Sequence, residues 1–249
     1  MKQFYESENA TIAYFDEGEG QPIVLVHGFA SNAEVNWLGP GWIKTLTDRG
    51  FRAIAVDNRG HGESSKFYAE EDYQLEAMSS DILNLIQHLE LSVPHVMGYS
   101  MGSRITGTLA CHYGDRLGKI ILAGNGYNMV EGGFDSTAIR DGLLAPSFEE
   151  APTTIGREFR YFAHQTKSDL RALAACIMAA RVHIPESVFK GITNETKVIV
   201  GTEDTVAENG QQLANLLPNG HFDIIPNRNH MNAVGDKIYK EKVLDFISS

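Results

Sequence analysis

The strongest constraint on the fold is a series of short apolar runs, rich in β-branched residues, that recur between helical stretches. Ile23-Val24-Leu25-Val26, Ala53-Ile54-Ala55-Val56 and Val96-Met97 come first, followed by residues 119–123, 197–201 and 222–225. Runs this short and this uniformly apolar suit strands covered on both faces of a sheet. Between them, residues 73–91 repeat Leu75, Met78, Ile82, Leu85 and Leu89 at three- and four-residue steps, the signature of one apolar helix face. Strands alternating with helices predict an α/β fold built on a doubly wound, mostly parallel sheet.

That rhythm breaks between about residues 124 and 193, where helical patterns such as 169–175 occur without a strand-like run. The reading is a core formed by residues 1–124 and 194–249, interrupted by a helical cap insertion over residues 125–193. No serine- or proline-rich tract separates the two, so the cap is expected to pack on the core rather than hang from a linker. At 249 residues, with 43% hydrophobic and 21% charged side chains, the chain has an ordinary globular balance.

Thirty-two acidic against twenty-one basic residues give a formal charge of −11, with no basic cluster to offset it. Nucleic acid and an anionic membrane are therefore not expected as partners. The first twenty residues lack an apolar stretch of signal-peptide length, and no later segment is long and apolar enough to span a bilayer, so a soluble, cytoplasmic protein is expected. Cys111 and Cys176 lie in apolar helical surroundings, without the paired spacing of a metal site or disulfide framework; buried free thiols are the expectation. Neither a GxGxxG nor a P-loop signature occurs, so no nucleotide cofactor is implied, and the chemistry below needs no metal. The oligomeric state is left open.

The stretch Gly98-Tyr99-Ser100-Met101-Gly102 follows an apolar run and precedes a helical one. A strand that becomes a helix within so few residues strains its central residue and requires small neighbours two positions either side. The arrangement fits a tight turn, and it also fits a nucleophile elbow that raises the Ser100 hydroxyl above the sheet. A serine nucleophile needs a base, and the base needs an acid. Glu203 and Asp204 follow one later strand-like run and His230 follows the next, in the order serine, acid, histidine. Either carboxylate can serve, with Asp204 favoured by its position in the motif.

Taken together, His27-Gly28-Phe29, the stretch 57–64, the Ser100 elbow, residues 201–204 and His230 resemble an α/β-hydrolase of the serine, esterase-like branch, over nearly the whole chain outside the cap. By that resemblance Ser100 is the nucleophile, His230 the general base and then acid, and Asp204 the orienting carboxylate. The backbone N–H groups of Phe29 and Met101 form the oxyanion hole. Asp57, His61 and His27 are expected to brace loops by hydrogen bonding. His112, His164 and His221 are expected to be ordinary surface or core histidines. Arg157, Arg160, Arg171 and Arg181 in the cap fit either an anionic substrate or solvated helix faces, the latter preferred. Ser103, Asn229 and Ala207 depart from the residues usual in the family, and Ser103 is expected to crowd the helix against the sheet.

The function implied is cleavage of a carboxylic ester, lactone or thioester of a small organic molecule through an acyl-enzyme. Three readings share the serine: carbon–carbon bond hydrolysis, cofactor-free perhydrolysis, and a small-molecule receptor with little turnover.

Overall fold

The computed structural model describes residues 1–7, 9–132 and 135–249, so positions 133 and 134 of the expected cap lie outside the described residues. Eight strands form one sheet: β1 (Gln3–Ser7), β2 (Ala10–Glu17), β3 (Gln21–Val26), β4 (Phe51–Val56), β5 (His95–Tyr99), β6 (Ile120–Ala123), β7 (Thr196–Gly201) and β8 (Gly220–Ile225). Their spatial order is β1-β2-β4-β3-β5-β6-β7-β8. From β4 to β8 every pairing is parallel, while β1 pairs antiparallel with β2 and β2 with β4.

Ten α-helices accompany the sheet among the described residues: α1 (Trp42–Thr47), α2 (Leu75–His88), α3 (Met101–Tyr113), α4 (Asn128–Glu131), α5 (Ser136–Leu144), α6 (Thr154–Gln165), α7 (Leu170–Ala180), α8 (Glu186–Lys190), α9 (Gly210–Leu216) and α10 (Lys237–Ile247). Successive side chains of a strand point to opposite faces, and the core divides accordingly. Ile23, Leu25, Ala53, Ala55 and Met97 pack with Trp42, Tyr239 and Val243 from α1 and α10. Val24, Val26, Ile54, Val56 and Val96 pack on the other face with Met78, Ile82, Ile105 and Leu213 from α2, α3 and α9. The doubly wound sheet expected from the sequence is present.

The periodic face expected over residues 73–91 becomes α2, with Leu75, Met78, Ile82 and Leu85 buried and Leu89 packed at its margin. Helices α4 to α8 occupy the span between β6 and β7, with no strand among the described residues. Asp135, Thr153 and Asp169 cap α5, α6 and α7, each side chain accepting first-turn N–H groups, which satisfies donors the helix itself leaves open. Helix α5 packs on both α6 and α7, and Leu173, Cys176 and Ile177 of α7 join the core cluster beneath. The two cysteines are free, as expected, but Cys111 is only half-buried while Cys176 is fully buried. Among the described residues, no helix is long and apolar enough to cross a membrane.

A buried ion pair joins the antiparallel edge to the parallel core. Arg59 Nε donates to Asp81 Oδ2 at 2.6 Å and Arg59 Nη2 to Asp81 Oδ1 at 2.9 Å, while Ser7 Oγ donates to Asp81 Oδ1 at 2.9 Å. Both charged side chains are about nineteen-twentieths buried, so removing one leaves the other uncompensated in a poorly solvated site. Asp81→Ala should therefore lower unfolding stability by about 3–5 kcal/mol, measured by denaturant titration. A loss under about 1 kcal/mol, typical of exposed pairs, would refute this account.

Candidate active site

The strands end in loops gathered at one edge of the sheet, and three of these loops converge. Ser100 follows β5 and stands just before α3, with φ 55° and ψ −115°, a conformation costly for a residue with a side chain. Close approach makes it unavoidable. A Cβ added at Gly98 would lie 2.2 Å from the Gly102 carbonyl oxygen, and one at Gly102 would lie 2.0 Å from the Val26 carbonyl oxygen. The neighbours two positions either side of the serine are thus held to glycine by backbone that cannot move aside.

Ser103 does not crowd this junction. Its Oγ lies 2.8 Å from the Gly98 carbonyl oxygen and 2.7 Å from that of Ala123, so the hydroxyl ties α3 to the ends of β5 and β6 and its extra atoms occupy a hydrogen-bonding slot. Ser100 N donates to the Ala123 carbonyl at 2.8 Å, and Asn125 Nδ2 donates to the Ser100 carbonyl.

The Ser100 Oγ lies 3.0 Å from His230 Nε2, and His230 Nδ1 lies 2.8 Å from Asp204 Oδ2. The Asp204 side chain is fully buried, whereas Glu203 is exposed. Its other oxygen, Oδ1, accepts from Val206 N at 2.9 Å and Ala207 N at 3.0 Å. Alanine at 207 supplies an N–H there that proline lacks. Asn229 Oδ1 accepts from the N–H groups of Met231 and Asn232, each at 3.0 Å, forming a local turn around the histidine.

Tyr99 adds a tether that sequence reasoning missed. Its hydroxyl donates to the His230 carbonyl at 2.6 Å, and its ring centroid is 5.4 Å from the imidazole. Burial, then the Asp204 carboxylate, pushes its phenol well above the ordinary range, so it stays a donor.

Phe29 and Met101 lie beside the serine. Met101 is the first residue of α3, where backbone N–H groups have no partner inside the helix. A Cβ on Gly28 would sit 3.3 Å from the Ser100 Cβ, so the loop after β3 runs in contact with it. That loop is braced as expected: His27 Nδ1 donates to the Gly28 carbonyl at 2.7 Å and Nε2 accepts from Asn58 N at 3.0 Å. Asp57 likewise accepts from Ala33 N at 2.8 Å and Glu63 N at 3.0 Å. His112, His164 and His221 are all exposed.

Above Ser100 opens a cavity of about 430 Å³, walled by Phe29, Val35, Ile155, Phe159, Phe162, Val206 and Met231 beside His230. Of the arginines expected on solvated cap faces, Arg171 is exposed as expected, while Arg157, Arg160 and Arg181 are half-buried. Arg157 and Arg160 donate to carbonyls of Ala151 and Leu143, and Arg171 lies over the Tyr68 ring, while Arg181 lines the cavity. A hydroxyl, an imidazole and a carboxylate linked this way can pass a proton from serine to histidine as the oxygen attacks a carbonyl.

A doubly wound sheet with a strained serine between strand and helix, and a histidine after the last strand, defines a class shared with known hydrolases. A family model described as alpha/beta hydrolase fold matches residues 21–151, and the chain belongs to that family. It is 25% identical over 242 residues to the (E)-2-((N-methylformamido)methylene)succinate hydrolase of Acinetobacter baylyi, covering 90% of this chain and 89% of the relative. It is also 33% identical over 110 residues to the non-heme chloroperoxidase CPO-A1 of Kitasatospora aureofaciens, covering 43% of this chain and 36% of that one; several curated relatives are matched over less than half their length. Among solved structures, an esterase from Exiguobacterium antarcticum superposes with a TM-score of 0.85 at 22% identity over the full length of both chains.

The buried histidines set an acid limit. Burial foremost, then the charge of His27, holds His61 down at about 3, and burial lowers His27 as well. In the unfolded chain both titrate near pH 6.5. The unfolded state therefore binds more protons between about pH 6.5 and 3, and stability, intact above that window, falls as the pH drops through it. For His61 the full loss is on the order of 5 kcal/mol. His61→Gln, which does not titrate, should show a shallower decline in unfolding free energy between about pH 6 and 4; slopes parallel to the unsubstituted protein would overturn the assignment.

Proposed function

We propose that this chain is a serine hydrolase that cleaves a carboxylic ester, lactone or thioester of a small organic molecule. One observation carries the reading: the Ser100 hydroxyl, hydrogen-bonded to His230 and through it to buried Asp204, opens onto a largely apolar cavity of about 430 Å³. That volume falls in the usual range for small-molecule sites. In this reading His230 Nε2 takes the hydroxyl proton as Ser100 Oγ bonds to the acyl carbon, and the Phe29 and Met101 N–H groups stabilise the oxyanion. Protonated His230 then donates to the leaving oxygen or sulfur. Water, deprotonated by the same nitrogen, releases the acid and restores Ser100. The segment 125–193 serves as the cap, with Phe159 and Phe162 limiting acyl or alcohol size. The Exiguobacterium relative is named as an esterase, which agrees with the bond type proposed.

A fluorophosphonate probe should label Ser100 on the folded protein, and Ser100→Ala should abolish labelling and lower turnover of a chromogenic ester by roughly four to six orders of magnitude. Label found on another serine, or none, would sink the assignment. A diketone and hydrogen peroxide tested alongside the esters distinguish bond types: faster cleavage of the diketone, or oxidation outpacing hydrolysis, would displace the ester reading.

The orienting acid is taken to be Asp204. Asp204→Asn keeps the shape but removes the charge that fixes the tautomer and stabilises the imidazolium, so turnover should fall by roughly four orders of magnitude. Glu203→Gln should cost little. Greater loss in Glu203→Gln, with both variants folded by circular dichroism, would move the acid one residue upstream.

A further inference from the structure

Helix α6 does more than wall the cavity, because its C-terminal end reaches the loop that follows β3. Residues 27–31 of that loop include Phe29, whose N–H is given to the oxyanion hole. The upstream part of the loop is held by the core. Gly28 N donates to Asn36 Oδ1 at 3.2 Å, and the Gly28 carbonyl accepts from His27 Nδ1 at 2.7 Å and Ser31 N at 3.3 Å. In a trans peptide the N–H points away from the carbonyl, so this contact turns the Phe29 N–H to the opposite side.

The downstream part is held from another segment. Ala30 takes a left-handed φ of 58° without being glycine, a conformation that persists where the surroundings impose it. The residue is fully buried, and no backbone N–H among the described residues donates to its carbonyl. A buried carbonyl needs a donor, and the Thr166 hydroxyl, at the end of α6, lies 2.9 Å away. Thr166 Oγ1 is also 3.2 Å from the Phe162 carbonyl and 3.1 Å from that of Ala163. A hydroxyl has one proton to give, and those two carbonyls already accept from Thr166 N at 3.0 Å and Ser168 N at 2.9 Å. The proton therefore belongs to Ala30. Two contacts seat the same region on the core: the Phe159 ring lies 5.6 Å from that of Phe29, and Tyr68 donates to Asp169 Oδ2 at 3.0 Å.

We propose that Thr166 is a positioning residue for the oxyanion hole. Its hydroxyl holds the Ala30 carbonyl, which keeps Ala30 in the left-handed region and Phe29 between two anchored neighbours. The chemical step then depends on α6 being docked, so the segment between β6 and β7 acts on rate as well as on which molecules enter. This inference rests on the serine-hydrolase reading and on the role given there to Phe29.

Thr166→Val keeps the shape of the side chain and removes the hydroxyl, while Thr166→Ser keeps the hydroxyl. Deleting an oxyanion donor outright costs about 10²- to 10³-fold in kcat, and misdirecting one should cost part of that. On the fastest ester of a p-nitrophenyl series, Thr166→Val should lower kcat about 10- to 100-fold per site titrated with fluorophosphonate and change KM less than about threefold. Thr166→Ser should recover most of the loss. Propyl trifluoromethyl ketone, which forms a hemiketal oxyanion on the serine, should bind more weakly by a matching factor, while propyl methyl ketone binds as before. An unchanged kcat, a loss confined to KM, or equal weakening of both ketones would overturn the proposal and leave the serine-hydrolase reading standing. If the unsubstituted protein turns over no ester, the rate constant of fluorophosphonate labelling replaces kcat, because the phosphoryl oxygen meets the same donors; the same fall supports the role of Thr166 and its absence refutes it. An unsubstituted protein that is not labelled at all overturns both. Should Thr166→Val fail to fold by circular dichroism, Thr166→Ala is judged by the same outcomes.

Discussion

Everything at the reactive edge depends on how closely α3 approaches the sheet. The helix begins so near β3 that the space for a Cβ at Gly102 is taken by the Val26 carbonyl, and the space at Gly98 by the carbonyl of Gly102. Backbone fixed on both sides leaves Ser100 no relaxed conformation, and the positive φ at that residue is the result. The strain is sustained because neighbouring groups over-determine it. The Ser100 N–H is held by Ala123, its carbonyl by Asn125, and the Ser103 hydroxyl secures the next turn. With the serine fixed by its backbone, its side chain has a defined direction.

Fixing the histidine poses a different problem, because its loop follows the last strand at an exposed corner. Exposed Asn229 and Met231 flank it. Three separate contacts compensate: the Asp204 carboxylate on Nδ1, the Tyr99 hydroxyl on the carbonyl, and the Asn229 turn over the next residues. Asp204 itself is held by two N–H groups on the oxygen that does not meet His230. Each oxygen of the carboxylate thus has its own task, and the imidazole is oriented from an anchored group.

The parallel part of the sheet was readable from sequence because strands covered on both faces must be apolar at every position, as Val24 to Val26 and Ile54 to Val56 are. Strands β1 and β2 were not foreseen. They pair antiparallel at the sheet edge, and β1 buries only Tyr5 and Ser7, a pattern too sparse to separate from a polar tail. The positions of Ser100, Asp204 and His230 were readable for a related reason: each lies in a short loop directly after an apolar run, and the topology of such sheets brings those loops together. The contact made by Tyr99 was not, nor were the places of Asn36 and Arg181 on the cavity wall. Tyr99 looked like a spacer within the turn, and Asn36 and Arg181 face the cavity only because of how a loop and a helix of another segment dock. That docking depends on three-dimensional packing, such as α5 against α6 and α7, which no local spacing encodes.

The Tyr99 tether has a mechanical consequence. The residue adjoining the serine in the chain is bonded to the backbone of a histidine 131 positions later, so the serine and the histidine are both referenced to the end of a single strand. A displacement of β5 carries serine and histidine together and preserves their separation, as two jaws mounted on one block keep their gap when the block shifts.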